Sequence, residues 1–143
     1  MVCTFFGHRD TPDEVSQLLC NSISDLIENK DVTDFYVGYN GKFDIMVFKK
    51  LRELSALHPI KFSVVLPYIP TKGKYEAEVS ACSMLPDGIE NVPRKFAISY
   101  RNKWMIEQSD FVITYVSRSF GGAAQFRELA LKKGKTVIDL YNK

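Results

Sequence analysis

The fold can be read from one stretch of the sequence, Phe111-Val-Ile-Thr-Tyr-Val-Ser-Arg-Ser-Phe-Gly-Gly-Ala-Ala-Gln-Phe-Arg-Glu-Leu-Ala130. The apolar, β-branched residues from Phe111 to Val116 indicate a strand, and the small residues from Ser117 to Ala124 indicate a turn. The run from Ala124 to Lys133 is compatible with a helix, and a second apolar run extends from Thr136 to Leu140. A strand, a glycine turn, a helix and a strand in this order predict a parallel βαβ unit.

The rest of the chain continues this alternation of strands and helices. Apolar runs predict three further strands, at Val2–Phe6, Phe35–Tyr39 and Phe62–Leu66. Apolar residues at helical spacing predict three further helices, at Pro12–Asn29 with Thr11 as its N-cap, Phe43–Leu57 and Ala97–Ser109. We therefore expect an α/β fold, with a Rossmann-like, doubly wound, mostly parallel sheet of about five strands and helices on both faces. In this interpretation residues 1–143 form one domain.

The segment from Pro67 to Phe96 breaks the alternation, because it contains four of the six prolines of the chain. We expect a short helix around Tyr75 to Met84 and loop structure elsewhere in the segment. A connection of this length without clear secondary structure is typical of a functional loop or lid.

Composition excludes several classes of protein. Hydrophobic residues make up 45% of the chain, as in globular proteins, but no apolar run is long enough to cross a membrane. The formal charge of +2 does not by itself predict a nucleic-acid partner. Cys3, Cys20 and Cys82 are an odd number without a close pair, so neither a disulfide framework nor a metal site is expected. We expect a cytoplasmic protein without a resident cofactor.

Polar and glycine-containing segments follow the predicted strands directly. Because the carboxyl ends of parallel strands lie at one edge of the sheet, we expect these segments to converge on a ligand. The predicted ligand-binding residues are Gly7, His8, Arg9, Gly38, Asn40, Gly41, Asp44, Pro67, Ser117, Gly121, Gly122 and Ala123.

Gly121 and Gly122 are the centre of this predicted site. They lie where a helix begins, and there free backbone N–H groups and the helix dipole favour an anion. The pattern is neither Gly-x-Gly-x-x-Gly nor a P-loop, so a standard dinucleotide fingerprint is not predicted. A flexible turn is the alternative interpretation of the glycine pair.

The other predicted ligand-binding residues also have ordinary structural interpretations. His8 and Arg9 are suited to a phosphate or a ribose, but they also fit a solvated loop or an ion pair with a nearby acid. Asn40, Gly41 and Asp44 fit a turn followed by a helix cap, and a ribose contact from Asp44 is the functional alternative.

The chain resembles the SLOG superfamily, the Rossmann-like group that includes Lonely Guy phosphoribohydrolases, DprA proteins and YpsA-like proteins. The segments Phe5-Phe6-Gly7-His8-Arg9 and Gly38-Tyr39-Asn40-Gly41-Lys42-Phe43-Asp44 resemble the YpsA-like branch. So do Tyr100-Arg-Asn-Lys-Trp-Met-Ile-Glu-Gln-Ser-Asp110 and the Gly121-Gly122 turn. The resemblance covers most of the chain and implies the fold and a phosphate- and ribose-containing ligand.

The phosphoribohydrolase branch of this superfamily carries Arg-Lys-x-x-Met and Gly-Gly-x-Gly-Thr-x-x-Glu. Arg101 and Glu128 stand at the positions of the Arg and Glu that act there in cleaving an N-glycosidic bond. The resemblance therefore implies catalytic roles for these two residues. Ala124 and Gln125 replace the third Gly and the Thr of the motif. These two departures count against the expected hydrolysis more than against the expected ligand binding.

Three functional hypotheses follow from these observations. The first is the binding or sensing of a nucleotide or nucleotide-derived ligand, with the segment from Pro67 to Phe96 covering the base. The second is an N-glycosidase in which Arg101 and Glu128 act on a nucleoside 5′-monophosphate. The third is a non-catalytic interaction module that builds a homo-oligomer.

Overall fold

The computed structural model describes residues 1–142 as a six-stranded sheet in the order β4-β3-β2-β1-β5-β6, in which every pair of neighbouring strands is parallel. The strands are β1 (Val2–Gly7), β2 (Asp34–Val37), β3 (Lys61–Val65), β4 (Ser83–Met84), β5 (Phe111–Tyr115) and β6 (Thr136–Asp139). The helices are α1 (Val15–Asn29), α2 (Lys42–Ser55), α3 (Ala77–Ala81), α4 (Ala97–Gln108) and α5 (Gly122–Lys132). The prediction of a Rossmann-like α/β fold is confirmed.

Helices cover both faces of the sheet, and each face has its own apolar core. Phe5 of β1 belongs to the core beneath α1 and α2, where Leu19 and Leu51 are fully buried. The next residue, Phe6, points to the opposite face and packs in the core that includes Met105 of α4 and Phe126 of α5. Because successive side chains of a strand point to opposite faces of the sheet, adjacent residues contribute to both apolar cores.

The strand order of the sheet changes direction at β1. The connections after β1 lead through β2 and β3 to β4 on one side, whereas β5 and β6 lie on the other side of β1. In open parallel sheets, ligands bind beyond the carboxyl ends of the strands at such a switch point. The switch point lies beside Gly7, which pairs with Tyr115 of β5.

The structure corrects the predicted number of strands and the content of the proline-rich segment. The sheet has six parallel strands instead of about five, because Ser83–Met84 pairs with Val64 and Val65 as β4. A two-residue strand is too short to leave a periodic signal in the sequence. Two 3₁₀ helices, Ile89–Asn91 and Arg94–Phe96, also occupy the segment that was expected to be mostly loop.

The predicted start of the first helix is wrong. The helix α1 begins at Val15, and its N-cap residue Glu14 makes no capping hydrogen bond through its side chain. The Thr11 hydroxyl instead donates to the carbonyl of His8 at 2.6 Å. Thr11 therefore closes the turn after β1.

Candidate functional site

A cavity of about 310 Å³ lies at the carboxyl ends of β1, β2 and β5. The loop after each of these three strands contributes to its wall, and α4 supplies one side. Eleven of the fourteen predicted site residues line it: Gly7, His8, Arg9, Gly38, Asn40, Gly41, Asp44, Arg101, Gly121, Gly122 and Ala123. The convergence of loops that the sequence predicts is therefore present in the structure.

Three predicted site residues do not line this cavity. Pro67 follows β3 in the chain and is buried, and Ser117 precedes the residues of its turn that line the cavity. Glu128 is exposed on α5, where Oε1 lies 3.5 Å from Nη2 of Arg127. The structure thus brings Arg101 to the cavity without Glu128, and the catalytic roles implied for the pair stay a prediction.

The turn after β5 presents an open helix N-terminus to the cavity. Gly121 is the N-cap residue of α5, with φ of 95° and ψ of 176°, a conformation that only glycine adopts without strain. No side chain caps this helix among the described residues. A Cβ atom added at Gly121 or Gly122 would meet nothing within 4 Å, so the protein itself does not fill the space in front of these glycines.

Two arginines supply positive charge at the mouth of the cavity. Arg118 lies within the glycine turn, and its Nη2 is 3.1 Å from Oδ1 of Asp10, with a third of the side chain exposed. Arg9 is exposed and forms no ion pair with any residue in the range 1–142. The sequence interpretation did not include Arg118, although its place between Ser117 and Gly121 was a sufficient signal.

His8 connects the turn after β1 to the turn after β5. Its ring is buried, and Nε2 accepts a hydrogen bond from the backbone N–H of Ser117 at 3.0 Å. An accepting Nε2 requires a neutral imidazole with its proton on Nδ1. Burial lowers the pKa of His8, and the charge of Arg118 lowers it further against the opposing influence of Asp10 and Asp139. His8 therefore positions the glycine turn.

Two of the predicted ligand-binding glycines are required by packing within the protein. A Cβ atom at Gly7 would lie 2.2 Å from the buried ring of Phe43. A Cβ atom at Gly41 would lie 2.9 Å from Cα of Arg9, whose carbonyl accepts a hydrogen bond from the N–H of Lys42. These glycines bring the loops after β1 and β2 together and thereby shape the cavity wall.

Arg101 is an almost fully buried cation, with 2% of its surface exposed. Its Nη1 donates to the carbonyl of Val65 at 2.7 Å, and its Nε donates to Oδ1 of Asn102 at 2.7 Å. Burial lowers the pKa of Arg101, and the carboxylate of Asp44 opposes that shift. The guanidinium is thus fixed in position by hydrogen bonds to neutral groups.

Asp44 lies in the first turn of α2 and lines the cavity as well. Its Oδ2 accepts a hydrogen bond from the N–H of Asn40 at 2.9 Å, and Asn40 lies in the turn just before the N-cap residue Gly41. Burial raises the pKa of Asp44, while the Asn40 N–H and the nearby Arg101 and Arg9 lower it. Asp44 thus joins the turn after β2 to the first turn of α2, and the predicted ribose contact stays a prediction.

The segment expected to cover a base lines a separate cavity of about 540 Å³ instead. Tyr68 borders this second cavity, with the guanidinium of Arg94 4.2 Å from the centre of its ring. The residues that line the first cavity include none from Pro67 to Phe96. A lid over the first cavity from this segment is therefore not present in this conformation.

Other classes of site receive no support from the described part of the chain. No cluster of three His, Cys, Asp or Glu residues suited to a metal ion occurs among residues 1–142. Cys3, Cys20 and Cys82 are free thiols. None of the described helices is long and apolar enough to span a bilayer.

No known protein-family model matches this chain, and no curated protein sequence matches it significantly.

Proposed function

We propose that this protein binds a small ligand that contains phosphate and ribose, such as a nucleotide or a nucleotide derivative, in the cavity at the switch point of the sheet. The observation that carries the proposal is the uncapped N-terminus of α5, which opens into a cavity with space in front of Gly121 and Gly122. The proposal agrees with what the resemblance to the SLOG superfamily implies for the ligand. The cytoplasmic location expected from the cysteine content remains a prediction.

The phosphate would rest on the first backbone N–H groups of α5. These groups lack partners within a helix, and the helix dipole adds partial positive charge at the same place. Arg118 and Arg9 would supplement this charge from the mouth of the cavity, since one has a single exposed acid as partner and the other has no ion pair within residues 1–142. Guanidinium groups suit phosphate because their N–H donors match two oxygens at once.

The N-glycosidase hypothesis has less support than ligand binding. It needs a fixed carboxylate beside the sugar, because a carboxylate in solvent would stabilise an oxocarbenium ion only weakly. Glu128 is exposed and lies outside the lining of the cavity. The hypothesis of an oligomeric interaction module likewise rests only on exposed apolar side chains such as Ile69 and Phe120.

Calorimetry against a panel of ribonucleoside mono- and diphosphates, ADP-ribose and inorganic phosphate tests the proposal. The discriminating pair of variants is Gly122→Asp and Gly122→Asn, because a side chain at this position meets nothing within 4 Å. Both residues are compatible with the start of a helix, and the pair differs only in charge. We expect Gly122→Asp to weaken binding roughly a hundredfold, because its carboxylate would lie beside the bound phosphate and repel it.

Gly122→Asn should keep most of the affinity of the natural chain. The absence of binding below millimolar concentration for every member of the panel would overturn the proposal. Affinity unchanged in both variants would show that any ligand found lies elsewhere.

A further inference from the structure

Two charged side chains from different helices meet above Gly38 inside the cavity. A Cβ atom at Gly38 would lie 3.0 Å from Nη1 of Arg101, which belongs to α4, and 3.1 Å from Oδ2 of Asp44, which belongs to α2. Despite this proximity, no ion pair joins Arg101 to Asp44 in the structure. The protein thus holds two opposite charges side by side without pairing them directly.

Each of the two side chains is held through one half and is free at the other. Arg101 uses Nε and Nη1 for the hydrogen bonds to Asn102 and Val65, whereas its Nη2 makes none. Asp44 uses Oδ2 to accept from Asn40, whereas its Oδ1 accepts none. Both Arg101 and Asp44 line the cavity.

Such an arrangement is a preformed donor and acceptor for a neutral polar ligand group. A phosphate placed on Arg101 would face the carboxylate of Asp44, and an ammonium placed on Asp44 would face the guanidinium. A hydroxyl group satisfies both, because it donates to the carboxylate and accepts from the guanidinium without adding charge. Two adjacent hydroxyls match the two neighbouring side chains better than one does.

We propose that Asp44 and Arg101 form a subsite for the vicinal diol of a ribose, so that the protein selects ribose phosphates over 2-deoxyribose phosphates. This inference rests on the proposed function, because the anion site at α5 would hold the phosphate of the same molecule. The Asp44 carboxylate and the Arg101 guanidinium would determine which sugar is bound. Neither group is required to bind the phosphate.

Titrations with ribose 5-phosphate and 2-deoxyribose 5-phosphate test this inference without a contribution from any base. The same comparison is made with AMP and 2′-deoxy-AMP to raise the affinity. We expect the natural chain to bind each ribose compound roughly ten- to a hundredfold more tightly than its 2-deoxy counterpart, since the lost hydrogen bond leaves a charged group without a partner.

Asp44→Asn is the informative variant, because its amide oxygen still accepts the hydrogen bond from Asn40 and the start of α2 is preserved. We expect it to reduce the preference for ribose roughly tenfold and to leave the binding of the 2-deoxy compounds unchanged. Asp13→Asn is the matched control, since Asp13 is an exposed acid that pairs with Lys42 outside the cavity. It should retain the full preference, and thermal unfolding checks that both variants are folded.

Equal binding of ribose and 2-deoxyribose compounds would overturn this inference and leave the proposed phosphate site standing. Tighter binding of all phosphates by Asp44→Asn would also overturn it, since that result indicates an anion beside Arg101. Failure of inorganic phosphate and of every sugar phosphate to bind would remove both the subsite and the proposed function.

Discussion

The end of β1, with the turn that follows it, lies beside the turn after β5 at one edge of the sheet, and the two contain glycine for opposite reasons. Gly7 has no side chain because the ring of Phe43 occupies the space in which a Cβ atom would lie. Gly121 and Gly122 have nothing within 4 Å of that space. The first turn is therefore closed by the protein's own packing, whereas the second remains open to solvent.

The difference shows that a glycine at a strand end is informative only together with its surroundings. A packed glycine indicates structure, and an unpacked glycine at an uncapped helix N-terminus indicates space for a ligand. His8 joins the two turns, because it follows Gly7 in sequence and accepts the N–H of Ser117. Four substitutions test this contrast.

Gly7→Ala should destabilise the protein by about 3 kcal/mol, because the new methyl group would overlap the fully buried ring of Phe43. Gly122→Ala is its control at the open turn and should change stability by less than about 0.5 kcal/mol. Urea denaturation measures both free energies of unfolding. Similar losses for the two variants would contradict the distinction between a packed and an open glycine.

Gly121→Ala should cost about 2 kcal/mol through the backbone alone, because φ of 95° with ψ of 176° is accessible almost only to glycine. No overlap contributes, since the space around this residue is empty. Comparison with Gly122→Ala in the same denaturation experiment isolates the conformational cost. A stability equal to that of Gly122→Ala would show that the turn relaxes without strain.

His8→Leu should cost about 1 kcal/mol at pH 7.5, because the N–H of Ser117 loses its acceptor. His8→Gln should retain most of that stability, since its side-chain oxygen can reach the position of Nε2. Amide hydrogen exchange at Ser117 provides the local measurement. Equal protection of Ser117 in the leucine variant and the natural chain would contradict the positioning role of His8.

The pH dependence of stability sharpens the same test. Because the pKa of His8 in the folded protein is below its ordinary value of 6.5, the unfolded chain binds the proton more readily. The stabilising contribution is therefore fully present above pH 6.5 and decreases as the pH falls through the folded pKa. His8→Gln should lack this component between pH 7.5 and pH 5, as thermal unfolding across that range would reveal.

Arg118→Gln should have the smallest effect on stability, within about 0.5 kcal/mol, because its ion pair with Asp10 is exposed. We expect it to weaken phosphate binding roughly fivefold and to reduce the salt dependence of binding. Arg52→Gln is the control, since Arg52 forms a comparable exposed pair with Glu78 away from the cavity. Calorimetry at two salt concentrations would contradict the prediction if both variants behaved alike.

Local patterns predicted most of the fold and most of the residues around the cavity. The five longer strands are visible as apolar runs, and the four longer helices as apolar residues at helical spacing or as a helix-compatible run. The strand β4 was missed because two residues, Ser83 and Met84, contain no period. Thr11 was assigned as a helix cap because its local context fits one, although its hydroxyl bonds to the carbonyl of His8.

The amino-acid sequence alone specifies the alternation of strands and helices, which places the loops after β1, β2 and β5 at one edge of a parallel sheet. What each side chain does at that edge depends on the tertiary structure. His8 accepts from Ser117 across 109 positions of sequence, Arg101 reaches the carbonyl of Val65 across 36, and Glu128 lies outside the lining of the cavity. Periodicity is a property of adjacent residues, whereas the partner of a side chain depends on which distant elements pack against it.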